Sequence, residues 1–596
     1  MAQAARGFLR RASSSVRAAP PETAAAVLVG LLALAMFSVG LRSYFAIDDF
    51  YWLFEAKYTL VGVASLWHIL VSNTGPMYRP LGQDLFFSLG WHLFGMNPAG
   101  YLAISILAIA ISATYLFRIY WQLSSWGPAC VATAMAAFTS SHFELATWAS
   151  SFAEVGACTA FIIAIFQFIQ GSSKWCGIWF VLALLCNETA TPLPAVALAI
   201  SYFILRDALN VSLKRTRPLW IIFALYALFR LFVTGLSSAR SGPFAFTVDF
   251  SVYVHLALQS FANAFGWFPT FNNVLHSGGV LGLAAQVIWI LYLLIVAAVT
   301  VIALLGDRRD VALRFIAAGL VWFIATLAPL LLFSANNWSL YNLALPIAGI
   351  GLAMAGIFQA ASETPLLRGA FGRQRVAIAA ASLQFGINAL ALYGPGGWQQ
   401  TDGIAQLEKQ SRAFYAELER QVTEEGRRNF HVNISSSDVE YARTIAHGNL
   451  LVALVSGDPN TRVLFTETPT TDPTYTRFMF DRQTAAYTLL STGTATVPAT
   501  AGARGSTLNS LLRARIVSVD KNADPRRAVV HLTWIASKWQ SVEVHMNAPD
   551  GPVFVATAGG GEADTGDWVI SSTRFFLQDV TGGGSRTLSV LDAPKF

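Results

Sequence analysis

Residues 24–49 read AAAVLVGLLALAMFSVGLRSYFAIDD, an apolar run that ends in two adjacent aspartates, Asp48 and Asp49. The run is about as long as a membrane-crossing helix, which needs roughly 20 residues. Arginines precede it, as in a signal peptide, but no small-residue cleavage site follows. We therefore interpret residues 24–45 as a retained first membrane helix. Two acids then stand at a membrane exit, where ionisable groups are costly to keep and usually functional.

The composition extends this interpretation to the whole chain. Of the 596 residues, 54% are hydrophobic and only 12% are charged. A soluble chain of this length cannot bury so much apolar surface, so a polytopic α-helical membrane protein is predicted. The net charge of +6 is spread over loops and forms no soluble basic face, which argues against a nucleic-acid partner.

Apolar segments of membrane-crossing length recur about eleven times, and basic clusters lie on alternate loops between them. The positive-inside rule places those clusters, and a basic N-terminus over 1–23, in the cytoplasm, with the C-terminus outside. The predicted membrane helices cover 24–45, 98–120, 128–146, 152–170, 175–187, 190–205, 218–236, 280–304, 315–334, 342–361 and 376–394.

The membrane domain over 24–394 has two predicted external loops, 46–97 and 234–279. In the first loop, the aromatic run from Phe50 and the apolar run Val61–Val71 predict one helix in the membrane interface, and Leu81–Phe94 predicts a second.

The composition changes at Gly394-Pro395-Gly396-Gly397, and residues 398–596 are predicted to form an extracytoplasmic α+β or β-rich domain. A helix is predicted over 398–428, with Leu407, Phe414 and Leu418 on one face. Strands are predicted over 513–519, 528–535, 542–546, 553–556, 568–576 and 587–591.

The aspartate pair has two interpretations. One aspartate is a candidate general base, and the neighbouring carboxylate, Asp49 in particular, is a candidate ligand for a divalent cation such as Mg, Mn or Ca. The alternative is an acidic cap on the helix that starts near Phe50, because aspartate favours helix N-termini. One aspartate can serve each purpose.

Tyr78-Arg79-Pro80 opens the second predicted interfacial helix. The guanidinium of Arg79 offers a two-pronged fork that suits phosphate or carboxylate. The alternative is an interfacial arginine that reaches toward water, followed by a proline at the first helical position.

Later polar residues near predicted membrane exits complete the candidate site. His142 and Glu144 are two residues apart, so they line one pocket only in a loop or at a helix end. Glu188 lies between two short apolar segments, where a plain turn is the alternative. Asn337 and Tyr341 suit sugar binding, although their spacing alone favours an ordinary polar loop.

In combination, these motifs resemble those of the integral-membrane GT-C glycosyltransferases. The matching features are the aspartates of the first external loop, the Tyr-Arg-Pro-Leu stretch from Tyr78, the His142-x-Glu144 motif and the stretch from Asn187 to Pro194. The branch it resembles contains the protein O-mannosyltransferase-like and tetratricopeptide-bearing mannosyltransferases with their bacterial relatives, and the resemblance covers about residues 40–360.

Two stretches depart from the pattern of that branch. Ser150–Glu154 stands where an Arg-x-Asp is usual, and Tyr341–Pro346 lacks the arginine that often precedes it. No tetratricopeptide pattern is present.

The resemblance implies transfer of a sugar from a polyprenyl-phosphate donor to a glycan, lipid or protein acceptor at the outer face of a cell-envelope membrane. It assigns the catalytic carboxylate to Asp48 or Asp49 and the donor phosphate to Arg79, with His142, Glu144 and Glu188 lining the cavity. Metal dependence varies in such enzymes. The expected reaction is an inverting displacement with an aspartate base.

Three other functions are alternatives to sugar transfer from such a donor. A lipid-linked oligosaccharide ligase or polymerase relies on Arg and His in a large late loop, and Arg240, His255 and His276 lie in one. A lipid-sugar flippase or transporter is expected to carry charges near the membrane midplane and a repeated half, which the sequence lacks. A receptor domain on a membrane anchor does not need so many membrane helices.

Overall fold

The computed structural model is helical up to Glu424 and mixes helices with strands after it. The residues it describes are 20–58, 69, 78–234, 250–267, 269–331, 340–367, 370–398, 403–424, 431–436, 438–446, 448, 450–457, 463–469, 475–481, 486–491, 512–520, 527–534, 541–548, 552–558, 561–565, 569–570, 573–580 and 586–593.

The α-helices are α1 Pro20–Phe37, α2 Asp48–Tyr58, α3 Phe86–Phe94, α4 Pro98–Leu123, α5 Trp126–Ala137, α6 Ser141–Thr147, α7 Phe152–Ile169, α8 Ser173–Cys186, α9 Leu193–Ala199, α10 Leu209–Thr234, α11 Phe250–Ala264, α12 Pro269–Leu275, α13 Gly279–Leu305, α14 Arg309–Leu331, α15 Ala344–Ser362, α16 Ala370–Tyr393, α17 Gly403–Glu424, α18 Val439–Ala446 and α19 Leu450–Ser456. Short 3-10 turns cover Ser38–Arg42, Ala149–Ser151, Glu188–Ala190, Leu340–Leu343 and Pro365–Leu367, and π-helical turns cover Pro80–Leu85 and Ile200–Ile204.

The protein is a polytopic helical membrane protein, as the sequence predicts. Seven described helices are long and apolar enough to cross a bilayer: Glu22–Arg42, Pro98–Leu123, Ala149–Ile169, Gly279–Leu305, Arg309–Pro329, Tyr341–Ser362 and Gln374–Tyr393. Ser173–Cys186 and Glu188–Ile204 are shorter apolar helices. As far as the residues are described, each predicted membrane segment falls largely on helical structure. The count of eleven crossings and the orientation of the termini stay predictions.

One predicted membrane helix, 128–146, is not continuous. It is divided into α5 and α6 at Thr139 and Ser140, where the hydroxyls of Thr139 and Ser141 bond to each other. Hydroxyl side chains compete with the helix for backbone hydrogen bonds, which favours a break there. The short helix α6, which carries Glu144, follows the break.

The first predicted external loop contains helices at the places where its aromatic residues predict them. Helix α2 starts at Asp48, and a π-helical turn at Pro80–Leu85 leads into α3. Most of the Val61–Val71 segment lies outside the described residues. The second predicted loop holds the short helices α11 and α12.

Two membrane helices, α14 and α15, cross where each carries a glycine. A Cβ atom on Gly349 would lie 2.5 Å from the carbonyl oxygen of Gly319, and a Cβ on Gly319 would be equally close to Gly349. Small residues at such crossings let helix backbones approach closely, which is a main source of packing energy in membranes.

The chain forms two compact units. The first comprises 1–70, 79–225 and 249–497, and the second comprises 71–78, 226–248 and 498–596. Part of the region predicted as a C-terminal domain therefore belongs to the first unit.

In the first unit, α17 confirms the predicted helix, with Phe414 and Leu418 buried and Leu407 packed against the same core. It lies with a four-stranded sheet that the sequence analysis did not predict: β1 His431–Ser435, β2 Val463–Thr466, β3 Tyr475–Asp481 and β4 Ala486–Ser491. The order is β2-β1-β3-β4, parallel except for the β3–β4 pair.

This layer shares one hydrophobic core with α2 and α3. Phe50 and Phe87 belong to the same buried cluster as Phe414 and Phe478. At the end of α2, Lys57 Nζ donates a hydrogen bond to the carbonyl of Leu454 (2.9 Å) and the Tyr58 hydroxyl donates one to Ala453 (3.1 Å). A cation at the last carbonyls of α19 also complements the helix dipole.

The second unit is built from two antiparallel sheets, ordered β5-β6-β9 and β11-β10-β7-β8. Their strands are β5 Leu512–Asp520, β6 Arg527–Trp534, β7 Ser541–Met546, β8 Val553–Ala558, β9 Gly561–Asp564, β10 Arg574–Asp579 and β11 Arg586–Asp592. Alternate residues of β6 are buried in a core that also contains Val544, Phe575 and Leu577. The predicted strand over 568–576 is wrong in extent: Val569 makes only an isolated bridge, and β10 starts at Arg574.

Substitution of Gly319 or Gly349 by alanine is expected to lower the thermal unfolding midpoint of the purified protein in detergent. The added methyl group overlaps backbone atoms of the other helix, and such overpacking costs about 1–3 kcal/mol. Gly386→Ala in α16 is the control, because no atom lies within 4 Å of its Cβ position. Equal effects of all three substitutions would contradict the close crossing.

Candidate functional site

The two aspartates at the start of α2 have different environments. Asp49 is fully buried, and its Oδ1 accepts hydrogen bonds from the backbone amide (2.7 Å) and the hydroxyl (2.5 Å) of Ser150. Its Oδ2 accepts a bond from the amide of Ala46 (2.9 Å). Asp48 keeps partial exposure to solvent. Asp49 thus joins the α2 entry turn to the 3-10 turn before α7.

The turn that Asp49 holds has an unusual backbone conformation. Ile47 has a φ of +47°, a left-handed conformation that is rare for a β-branched residue. Three hydrogen bonds hold the segment. The Ala46 amide donates to Asp49 Oδ2 (2.9 Å), and Ala46 O accepts from the Asp49 amide (3.1 Å) and from Trp148 Nε1 (3.3 Å). Strained backbone of this kind persists only where its surroundings fix it, and it concentrates at functional sites.

Burial raises the pKa of Asp49 to about 7, against the opposing effect of its hydrogen bonds from Ser150 and Ala46. Because its oxygens already accept protein donors, Asp49 does not fit the role of cation ligand. Among the residues that the structure describes, no group of three or more His, Cys, Asp or Glu side chains is arranged to hold a metal ion. Metal dependence stays a prediction.

Arg79 forms a two-pronged ion pair with Glu188. Its Nε donates to Oε2 (3.2 Å) and its Nη2 to Oε1 (3.1 Å), with both side chains largely buried. Burial tends to lower the pKa of Arg79, but the charge and hydrogen bonds of Glu188 outweigh that effect and raise it. The guanidinium therefore stays charged.

The turn that carries Glu188 is fixed on both sides. The side chain of Asn187 accepts a hydrogen bond from the Thr189 amide (3.0 Å), which caps the 3-10 turn. The Thr189 hydroxyl donates to both carboxylate oxygens of Glu154 (3.1 and 3.2 Å). Successive residues of one turn thus bond to Arg79 and to the start of α7.

Gly82 lets the Arg79 segment approach that turn. A Cβ atom at this position would lie 2.5 Å from Cys186 O and 2.6 Å from Ala153 Cα. No larger residue fits between the π-helical turn and these two neighbours. The Arg79–Glu188 pair consequently depends on a glycine three residues away.

Tyr341 lies where these elements meet. Its ring packs edge to face against Trp148, with centroids 5.9 Å apart. The charges of Arg79, Glu154, Glu144 and Asp48 all act on its hydroxyl. Three carboxylic acids and one arginine therefore lie within electrostatic range of a single phenol.

Most of the predicted residues converge here. The structure brings together Asp48, Arg79, Glu144, Glu188 and Tyr341. Four residues outside the predicted set also contact members of this site: Glu154, Thr189, Trp148 and Ser150. For Glu154 a signal was present, since it is an ionisable residue inside a segment of membrane-crossing length.

Three predicted residues are not among these contacts or are not described. His142 is buried beside the Phe37 ring (centroids 6.0 Å apart), with its Nδ1 3.3 Å from the Ser141 hydroxyl. Tyr78 belongs to the second unit, where its ring packs against Phe229. Asn337 lies outside the described residues.

Comparison with known proteins adds one likeness. No protein-family model matches the chain, and no curated protein matches it. Among solved structures, ArnT from Cupriavidus metallidurans in the apo state is similar, with 12% identity over 77% of this chain and 93% of that chain and a TM-score of 0.44. At these values, the likeness establishes neither a shared family nor a shared activity.

A separate buried acid lies on the π-helical turn after Arg79. Asp84 is 4% exposed. Burial, and secondly the charge of Glu55, raise its pKa to about 8. At neutral pH this carboxyl group is therefore mostly protonated.

Asp49→Asn is expected to destabilise the protein, whereas Asp48→Asn leaves its stability nearly unchanged. An asparagine amide turns one acceptor into a donor that faces an N–H or O–H group, at a cost of about 1–3 kcal/mol. Asp48 is the matched control because the same atom changes one residue away, at a partly exposed position. The measurement is the thermal unfolding midpoint of each variant in detergent. Equal midpoints for the two variants would contradict the stabilising role of the hydrogen bonds that Asp49 accepts from Ser150 and Ala46.

Asp84→Asn is expected to stabilise the protein in a pH-dependent way. A carboxyl group whose pKa is raised on folding loses stability as pH rises from its unfolded value near 4 to its folded value near 8. The advantage of the variant should therefore grow over that range and level off above about pH 8. Unfolding midpoints measured from pH 5 to 9 provide the test. Glu55→Gln removes the like charge, so the plateau should begin at lower pH; a pH-independent advantage would refute the assignment.

Proposed function

We propose that this chain is an integral-membrane glycosyltransferase of the GT-C type. It transfers a sugar from a polyprenyl-phosphate donor to a glycan, lipid or protein acceptor at the outer face of the membrane. The observation that carries the proposal is the gathering of Asp48, the Arg79–Glu188 pair, Glu144 and Tyr341 beyond the end of the first membrane helix. Sequence motifs that resemble this enzyme class supply these residues.

Asp48 is the proposed general base. It begins a helix, where the positive end of the helix dipole favours a carboxylate. The hydrogen bond that Asp49 accepts from the Ala46 amide, together with the left-handed conformation of Ile47, fixes the backbone at Asp48. Asp49 itself is a poor base, because Ser150 and Ala46 occupy its carboxylate. One acid of the pair thus positions the other.

The proposed reaction is a single displacement with inversion at the anomeric carbon. Asp48 takes the proton of the acceptor hydroxyl as the acceptor oxygen forms its bond to that carbon. The bond between the carbon and the phosphate oxygen breaks, and the polyprenyl phosphate leaves with the electron pair. Phosphate is a good leaving group at neutral pH, so no second carboxylic acid is needed to protonate it, unlike in glycoside hydrolases. Arg79 is proposed to stabilise its charge.

The alternatives have weaker support. The ligase or polymerase interpretation depends on residues of the late loop. One of them, His276, is exposed, and its Nδ1 lies 2.8 Å from Asn272 O of the preceding helical turn. Arg240 lies outside the described residues. For a transporter, charges at the middle of membrane helices are expected. Here Asp48, Glu144, Glu154 and Glu188 occupy helix starts and turns.

Asp48→Asn should lower transfer by about 100-fold or more, because a positioned general base contributes 10²–10⁴-fold. The assay is release of polyprenyl phosphate from a panel of polyprenyl-phosphate sugars, with the full chain in nanodiscs and membrane extract as acceptor. Asp310→Asn, which removes an exposed ion pair with Arg206, serves as control. Normal turnover in the Asp48 variant would refute the assignment, and a product with retained anomeric configuration would refute the single displacement.

A further inference from the structure

In the part of the chain that the structure describes, the hydrogen bonds of the Arg79 guanidinium use one of its edges. Nε and Nη2 donate to Glu188. An arginine has five N–H donors in a rigid planar fork. Within the described part of the chain, no protein group accepts a hydrogen bond from Nη1, and the side chain retains 17% exposure. The second edge of the fork, Nη1 with Nη2, thus remains available to a ligand.

Glu188 is well suited to fix the direction of that edge. A two-pronged ion pair sets both the position and the plane of a guanidinium, which a single hydrogen bond does not. The carboxylate sits on a turn capped by Asn187 and tied through Thr189 to Glu154. It is therefore attached to rigid structure on both sides.

Arg79 lies near other groups of the proposed reaction site. Arg79 is within electrostatic range of Glu154 and Tyr341. Tyr341 is in turn within range of Asp48. A phosphate held on the Nη1–Nη2 edge is thereby kept in the neighbourhood of the proposed base.

We infer that Glu188 is a positioning residue, which holds Arg79 by its Nε–Nη2 edge and presents the Nη1–Nη2 edge to the phosphate of the lipid-linked donor. This inference rests on the proposed function, since it requires Arg79 to bind a polyprenyl phosphate. It assigns to Glu188 no contact with the sugar or the acceptor. Its carboxylate acts through the guanidinium alone.

A competing arrangement makes the opposite prediction. If Glu188 instead occupies the place of the phosphate, the donor must displace it, and removal of its charge then tightens phosphate binding. If Glu188 positions Arg79, removal of its charge weakens phosphate binding because the fork is no longer oriented. The sign of the change separates the two.

The experiment measures binding of undecaprenyl phosphate and of undecaprenol to the full chain in nanodiscs. The two lipids share one tail and differ in the phosphate, so the ratio of their dissociation constants reports phosphate recognition alone. Wild-type protein is expected to prefer the phosphate. Glu188→Gln should reduce that preference about tenfold, the effect of roughly one charge-assisted hydrogen bond, and leave undecaprenol binding unchanged.

Two further variants keep the test decisive. Arg79→Lys retains a cation beside Glu188 but has no fork, so it should fold and yet lose phosphate preference to a similar extent. In Arg79→Gln the preference should vanish, and adding Glu188→Gln should then change nothing more. Glu363→Gln is the matched control, because Glu363 pairs with Arg308 at 3.2 Å on an exposed part of the chain.

Each outcome has a defined meaning. Unchanged or tighter phosphate binding in Glu188→Gln overturns the positioning role of Glu188, but leaves the proposed role of Arg79 in phosphate binding intact. Equal weakening for both lipids in Glu188→Gln also overturns it, since that marks a structural effect. A wild-type protein without phosphate preference, or an Arg79→Gln variant that keeps it, overturns the proposed donor site as well.

Discussion

The carboxylate of Asp49 is the contact on which the candidate site depends. It joins the end of the first membrane segment at Ala46 to the start of α7 at Ser150. Between these anchors lie the left-handed Ile47 and the partly exposed Asp48. A buried carboxylate without partners is strongly unfavourable, whereas one that accepts three hydrogen bonds fixes its surroundings. The adjacent acid therefore starts its helix in one defined place.

A second network forms the other side of the site. Arg79 pairs with Glu188, and the next residue, Thr189, donates a hydrogen bond to Glu154. Gly82 allows the close approach that these contacts require. Both networks end on the first residues of α7 or the 3-10 turn before it. That segment is therefore the common support for the acids and the arginine. Rigid elements of this kind hold reacting groups more accurately than free loops do.

The sequence predicted the features that depend on local pattern. Apolar length located the membrane helices, and the periodicity of Leu407, Phe414 and Leu418 located α17. Asp48 and Glu188 became candidates because charged groups at membrane boundaries are rare, and Arg79 because its fork suits phosphate; their roles stay predictions. Which of the two aspartates is buried and hydrogen-bonded was not predictable, since it depends on Ser150, which lies 101 residues from Asp49.

Other structural features that the sequence did not predict also have physical causes. The position of His142 against Phe37 depends on the break at Thr139 and Ser140, where an apolar run suggested a continuous helix. The parallel strands β1 to β3 are short, and their pairing joins segments far apart in the chain. Composition alone also suggested one C-terminal domain, because polar content does not reveal which strands pack against α2.

The shared core of α2, α3 and the β1–β4 layer limits how this protein can be divided. Phe50 and Phe87 are covered by the cluster that contains Phe414, and Lys57 and Tyr58 bond to the end of α19. A truncation near Trp398, where the composition changes, exposes a hydrophobic surface on α2, the helix that begins at Asp48. A fragment that keeps this core intact consequently extends through β4, and an exchange of the C-terminal segment needs its junction after Ser491.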